Sequence, residues 1–400
     1  MIVRVRGRRT SLPEALRAGP FTVVEARRYG VMLDTLRNRR RFRRLLHGVY
    51  AVSELPLTRQ LWIEAAAKVL PPDAVFSHRT AARIWGIPVT DDDLIHVTVN
   101  RSTTCPRFRR IRVHQTNEQL PWVRVGGQRI TPPGRTFVDL AAELGLVDLV
   151  VAGDRMLRNG LVDRAALECQ LESSTRRRGA RTARSAIQLL RPRVRSGSET
   201  RLRLLLVLAG LPEPLVGTDV VLTGGALRFT PALHYPQARI AIEPEYPPWV
   251  DINLLDPQDL VGSDQFGARL TGDLGTHRTG ELTNHLSTVP TIGSTTSNEP
   301  ADRPAWWQDN DLVRRINDQG WLVFARDTTD LWRTGWTTVR ELHATLRARH
   351  QPGTPEVITR TRTQTAIGTL MDASEVAWTR VPRGSDDTDL VLAAERYSRA

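Results

Sequence analysis

Three stretches decide how the N-terminal part folds: Thr22-Val23-Val24-Glu25-Ala26-Arg27-Arg28-Tyr29-Gly30, then Leu33 to Arg41, then Leu45-Leu46-His47-Gly48-Val49-Tyr50-Ala51-Val52. Thr22 with Glu25 three residues later has the pattern of a capping box, in which each side chain satisfies the other residue's backbone N–H. Gly30 can end that helix in a left-handed conformation. Upstream, Ser11-Leu12-Pro13-Glu14 reads as a second box opening a shorter helix. A third helix is expected from about Asp34 to Arg41, followed by a strand over 45–52. Three short helices followed by a β-ribbon are the layout of a winged helix-turn-helix, whose third helix enters the DNA major groove. On that helix Leu33 and Leu36 point inward, with Phe42 beyond, and Arg37, Asn38, Arg40 and Arg41 face solvent. Arginine suits guanine edges, asparagine suits adenine, and further arginines neutralise phosphates. Arg37 and Arg40 are the candidates for base contacts. Asn38 joins them on the exposed face, and Arg39, Arg41, Arg43 and Arg44 are the candidates for phosphate.

Charge supports this reading by its position. The 400-residue chain carries a net +13, and residues 1–50, with thirteen arginines and three acids, hold +10 of it. A second cluster of eight arginines without an acid spans 173–195, while 251–304 is acidic at −5. The basic residues are all arginine except Lys68. Arginine codons are GC-rich, so genome composition accounts for that choice but not for the clustering. Such a basic head makes nucleic acid the first partner to test. Two cysteines, Cys105 and Cys169, exclude a disulfide scaffold and a cysteine zinc site, and read as buried thiols. The N-terminus lacks an apolar h-region. The longest apolar run, Leu202 to Leu211, is broken by Arg203 and is shorter than the roughly 20 residues a membrane helix needs. A cytoplasmic protein without membrane contact is expected.

The chain beyond the head reads as α+β. Helices are expected over Leu57–Leu70, from Ser77 to Gly86, after Thr131-Pro132-Pro133, over Val147–Gly160 and over Leu161–Gln170, with strands at Ile95–Val99 and Ile111–Val113. His78 could serve as a base or metal ligand. With no second histidine at helical spacing, it reads as a structural or capping residue. Ser198-Glu199-Thr200 opens an apolar helix through Leu208 that Gly210 closes. Strands follow at Val220–Leu222, Leu227–Tyr235 and Ala238–Glu243. The stretch from Gly262 to Pro300, with 24 of 39 residues Gly, Ser, Thr, Asn, Asp or Pro, is expected to be disordered. A helix from Trp306 to Gln319, a strand Trp321–Ala325 and a helix Asp330–Arg349 complete the ordered part.

The order of these motifs resembles actinobacterial proteins that join an AbiEi-type (type IV abortive-infection) antitoxin to a C-terminal endonuclease-like domain of the very-short-patch-repair type. The resemblance is carried by several blocks between about 10 and 345. They are Phe21-Thr22 through Gly30, Gly48-Val49-Tyr50, Ser77-His78-Arg79-Thr80-Ala81-Ala82, Trp85-Gly86, Arg135-Thr136 with Asp139-Leu140-Ala141, Ser198-Glu199-Thr200-Arg201, Ala209-Gly210-Leu211-Pro212, Tyr235-Pro236, Ala241-Ile242-Glu243 and Gly320-Trp321. It implies a head that represses its own operon and a restriction-endonuclease-like domain in which three acidic positions hold magnesium. In such chemistry carboxylate oxygens ligate a metal that polarises phosphate and activates water. Carried over residue by residue, Glu199 matches the helix acid and Glu243 the first acid of a strand pair, and Glu245 stands for the second, with Pro244 between. The strand aspartate falls on Ala232; His234, on the same strand face, is the candidate replacement. Asp309, with Asp311 beside it, matches a further helix acid.

The expected organisation is a winged helix-turn-helix over 1–55, an AbiEi-like α+β domain over 56–172, a basic linker over 173–197, an α/β endonuclease-like domain over 198–350 with an insert at about 252–304, and a tail over 351–400. The first functional reading is a double-stranded-DNA-binding regulator whose nuclease-like domain has lost activity and needs no cofactor. The alternative is a magnesium-dependent DNA endonuclease using Glu199, Glu243 and Glu245. A third reading gives the middle domain the task of neutralising a toxin, by analogy a nucleotidyltransferase antagonised without stable contact.

Overall fold

A computed structural model describes residues 12–90, 92–174, 176–222, 228–245, 310–327 and 331–371. Within them the chain is mixed α+β with several sheets, and it divides into two compact units.

The first unit takes in the described residues up to Ala81 and the segment 92–132. It opens with α1 (Glu14–Arg17), β1 (Phe21–Thr22), α2 (Val23–Arg28), α3 (Leu33–Leu36), β2 (Phe42–Leu46) and β3 (Val49–Val52). The strands form an antiparallel sheet in the order β1-β3-β2. Leu16, Phe21, Ala26, Leu36, Phe42, Tyr50 and Val52 form its core, with Phe21 and Phe42 edge to face at 6.1 Å. The capping box on α2 is complete: Thr22 Oγ1 accepts from Glu25 N at 3.1 Å and Thr22 N donates to Glu25 Oε2 at 2.7 Å. Gly30 has φ +73°.

Three expectations for this region change. α1 has Pro13 at its N-cap and no side-chain cap, and Ser11 lies outside the described residues. The third helix ends at Leu36 rather than about Arg41, because the Asn38 side chain accepts from Arg40 N at 3.1 Å and its carbonyl accepts from Arg41 N and Phe42 N. An asparagine that bonds its local backbone offers the chain a turn in place of a further helical turn. The strand expected over 45–52 is a hairpin that reverses at His47-Gly48, with Gly48 at φ +78°.

The unit continues with α4 (Arg59–Ala67), β4 (Val75–Phe76), the start of α5 (His78–Ile84, counted with the second unit from Ala82), β5 (Ile95–Asn100), β6 (Ile111–Thr116), β7 (Val123–Val125) and β8 (Gln128–Ile130). The five strands form one mixed sheet in the order β6-β5-β4-β8-β7. β5 and β6 run parallel, so His96 pairs with Arg112 and Thr98 with His114.

The second unit holds α6 (Pro133–Leu140), α7 (Leu146–Arg158), α8 (Arg164–Glu172), α9 (Ala180–Leu189) and α10 (Gly197–Ala209). After them come β9 (Leu215–Val216), β10 (Val220–Val221), β11 (Arg228–Phe229), β12 (Leu233–Tyr235) and β13 (Ile240–Glu245). Then follow α11 (Asn310–Asp318), β14 (Leu322–Asp327), α12 (Leu331–Ala348) and α13 (Arg360–Met371). One sheet has the order β14-β13-β12-β9, and β10 pairs with β11. The stretch 173–197, expected as a linker, contains α9, whose Ala183, Ala186, Ile187 and Leu189 are buried. Polar Arg360–Met371, expected as tail, is helical and buries Ala366 and Leu370. The expected single strand Leu227–Tyr235 is two, interrupted around Pro231, with 227 outside the described residues.

From Leu202 to Ala209 every residue of α10 is buried, including Arg203, whose side chain has no exposed surface. Its guanidinium donates to Glu213 Oε1 at 2.8 Å and to the Leu189 carbonyl at 2.7 Å, and it lies 3.4 Å from Asp154 Oδ2. A buried cation is tolerable only with such partners. The whole expected insert, along with Asp309 and the last 29 residues, lies outside the described residues.

Candidate functional site

The basic head displays its arginines on a turn and a strand rather than on a long helix. Arg37 caps α3 and pairs with Asp34 at 3.0 Å, both well exposed. Asn38, Arg39, Arg40 and Arg41 follow on exposed turn residues. Arg44 is exposed on β2, and half-buried Arg43 donates to the Ser53 carbonyl at 3.3 Å. Asn38 spends its side-chain oxygen on Arg40 N, which fixes the turn carrying Arg39 and Arg40. Among the described residues of this face, the acid paired with an arginine is Asp34. The surface therefore keeps most of its positive charge available to an anionic partner.

In the second unit Glu199 and Glu243 are brought together, as the sequence suggested, but by an arginine. Ser196 caps α10 by accepting from Glu199 N at 3.2 Å, which sets the Glu199 side chain back towards residue 195. Arg195 N donates to Glu199 Oε2 at 2.7 Å and Arg195 Nε to Glu199 Oε1 at 2.9 Å. The same guanidinium lies 3.5 Å from Glu243 Oε2, and Glu243 Oε1 accepts from Ala232 N at 2.7 Å. Burial pushes both carboxyls up, that of Glu243 to about 7. Three of the four carboxylate oxygens thus accept hydrogen bonds from the chain, the fourth, Glu243 Oε2, faces the Arg195 guanidinium, and the methyl of Ala232 supplies no ligand. Magnesium requires several oxygen ligands in near-octahedral array, and this donor set does not fit it. Glu245 lies at the end of β13, opposite Asp327. Pro244 is accommodated because the pairing of β13 with β12 ends at Ile242, so this segment pairs only with β14 among the described strands. His234 is buried and turns to Thr218 Oγ1 at 3.3 Å and to the Trp321 ring. Its Nδ1 has no hydrogen-bond partner among the described residues, and burial lowers its pKa to about 4.

A third group escaped the sequence reading. His78, His96 and His114 come from α5, β5 and β6, and offer nitrogens that all lie within 4.8 Å of one another. His96 Nδ1 is 3.0 Å from His114 Nε2, and His96 Nε2 is 2.6 Å from Asp92 Oδ2. The His78 and His114 rings stack at 3.6 Å. The available signal was the period-two pattern of strands, which puts His96 and Thr98 on one face of β5 and Arg112 and His114 on the matching face of β6. Helical spacing from His78 could not find it. The two cysteines are free but, against expectation, not buried: Cys169 is exposed and Cys105 partly so.

No family model matches the chain. It is 29% identical over 208 residues to two uncharacterized proteins of Mycobacterium tuberculosis, one in strain CDC 1551 / Oshkosh and one in strain ATCC 25618 / H37Rv. Each match covers 52% of this chain and 74% of the relative. No helix among the described residues is long and apolar enough to cross a membrane.

Proposed function

We propose that this protein is a sequence-specific regulator of double-stranded DNA, of the type IV antitoxin kind, acting inside the cell. The observation that carries the reading is the cluster of exposed arginines Arg37, Arg39, Arg40, Arg41 and Arg44. It stands on a unit whose strand order β1-β3-β2 and helix order suit a winged helix. The hairpin β2–β3 is the wing, and the turn after α3 is the part presented to the groove. The second unit is read as a restriction-endonuclease-like domain that holds DNA or scaffolds the head without cutting, with Arg195 standing where the family would place a cation. Antagonism of a toxin then runs through repression of its gene.

The test is incubation of the purified protein with labelled DNA from upstream of its own gene, in magnesium. A shifted, intact duplex supports the regulator. Metal-dependent cleavage would overturn it in favour of the endonuclease reading with Glu199, Glu243 and Glu245.

A further inference from the structure

We propose that His78, His96 and His114 form a binding site for one divalent transition-metal ion of the zinc class.

The three imidazoles are delivered by separate elements of the first unit, the start of α5 and the adjacent strands β5 and β6. Nitrogens around a tetrahedral zinc, each at about 2.0–2.1 Å from the ion, stand about 3.3 Å apart. His96 Nδ1 and His114 Nε2, at 3.0 Å, are already near that spacing, and the whole set lies within 4.8 Å. Turning the His78 ring out of its stack on His114, so that its in-plane lone pair converges with the other two, closes the site.

The outer contacts prepare the right atoms. The 2.6 Å bond to Asp92 places the ring proton of His96 on Nε2 and leaves the Nδ1 lone pair directed at His114. A carboxylate behind a ligating histidine is the usual outer partner of a zinc site, where it fixes the tautomer and strengthens the ligand. Ser77 Oγ lies 2.9 Å from His78 Nδ1 and accepts from Thr98 Oγ1 at 2.7 Å. With its second lone pair Ser77 can take the His78 Nδ1 proton, which leaves Nε2 as the ligand atom. Thr80 Oγ1 anchors the backbone of His96 at 2.8 Å. His78 itself holds a left-handed backbone, φ +51°, without being glycine. Strain of that kind persists where the surroundings impose a particular side-chain direction.

The donor set selects the ion. Three imidazoles without a thiolate or a ligating carboxylate suit zinc, and also cobalt, nickel or copper, but not magnesium or calcium. Three ligands leave a fourth position open to water or an anion. The nearby cations do not oppose the site directly: Arg79 is drawn to Asp92 at 3.9 Å, and Arg112 is exposed.

The experiment uses the full chain, purified without a histidine tag, and titrates zinc against a chromophoric chelator. The wild type is expected to bind one equivalent. His96→Gln and His114→Gln should lose it by at least about 100-fold, and Asp92→Asn should keep the stoichiometry with affinity about 10–100-fold weaker. His343→Gln, on α12 of the second unit, should bind as the wild type does. Cobalt in place of zinc should give the intense visible bands of a tetrahedral site. A wild type that takes up no stoichiometric zinc overturns the proposal whether or not the variants fold. So does undiminished zinc binding by a folded His114→Gln chain, checked by its circular dichroism in chelator.

Discussion

Arg195 holds Glu199 by two hydrogen bonds, one from its backbone N–H at 2.7 Å and one from Nε at 2.9 Å, so that the carboxylate closes on its own chain. The same guanidinium reaches Glu243. Two acids that a nuclease would turn towards a metal are therefore neutralised internally.

Replacing Ala232 by Asp is accordingly expected to leave supercoiled plasmid uncut in magnesium. The new carboxylate would join a pair that already faces the Arg195 guanidinium. Nicking by the single variant would show that Arg195 yields its place to a metal and that the acids remain competent.

Removing the arginine has a stability consequence. Arg195→Ala removes the cation beside two buried carboxyls, which then take up protons in its place, and the lost charge-assisted hydrogen bond should cost about 1–3 kcal/mol. Denaturant unfolding that gives the wild-type midpoint for Arg195→Ala would show that solvent reaches these acids.

Stability should depend on pH through two raised carboxyls. Burial pushes Glu243 up to about 7 and Asp154 up to about 6. Both exceed the unfolded values of about 4, so the native state binds their protons more tightly than the unfolded chain. Their stabilising contribution is complete below about pH 4 and is lost as pH rises through about 6 and then about 7. Glu243→Gln can still accept the Ala232 N–H and has no proton to lose. Its melting temperature relative to the wild type should therefore rise between about pH 5 and pH 8. A pH-independent difference would show that Glu243 ionises as an exposed carboxyl does.

The head offers a simpler check. Thr22→Ala removes one half of the box with Glu25 and should destabilise the protein by about 1 kcal/mol. A loss near zero would show that the Lys68–Glu25 pair at 2.6 Å, and not the cap, fixes the start of α2.

What the sequence made legible follows the range of the interactions. The cap at Thr22, the left-handed Gly30 and Gly210, and helices α7 and α10 are set by residues within a few positions of one another, and they appear as read. The end of α3 was misread because the arginines around Asn38 favour helix, while one side-chain hydrogen bond from Asn38 decides for a turn. α9 and α13 were hidden by their polar faces, since a few small or aliphatic residues suffice to seat them. Glu199 and Glu243 were found as acids. The role of Arg195 was not, because it depends on β12 and β13 bringing Ala232 and Glu243 to the start of α10. The histidine trio depends on the parallel register of β5 and β6, which no local pattern announces.

Arg40 distinguishes reading from charge. Arg40→Ala should weaken binding to the cognate duplex by about 1–3 kcal/mol if the side chain meets a base edge, and much less on random DNA. Equal losses on both would assign Arg40 to phosphate.

Recognition of DNA by the arginine surface between Arg37 and Arg44 is read from the affinity for the upstream duplex and for a scrambled duplex across a salt series. If the four phosphate candidates Arg39, Arg41, Arg43 and Arg44 each meet one phosphate, log affinity should fall against log salt with a slope of about −3 to −4 on both. The upstream duplex should remain tighter by about 1,000-fold or more. Equal affinities, or binding indifferent to salt, would contradict the account.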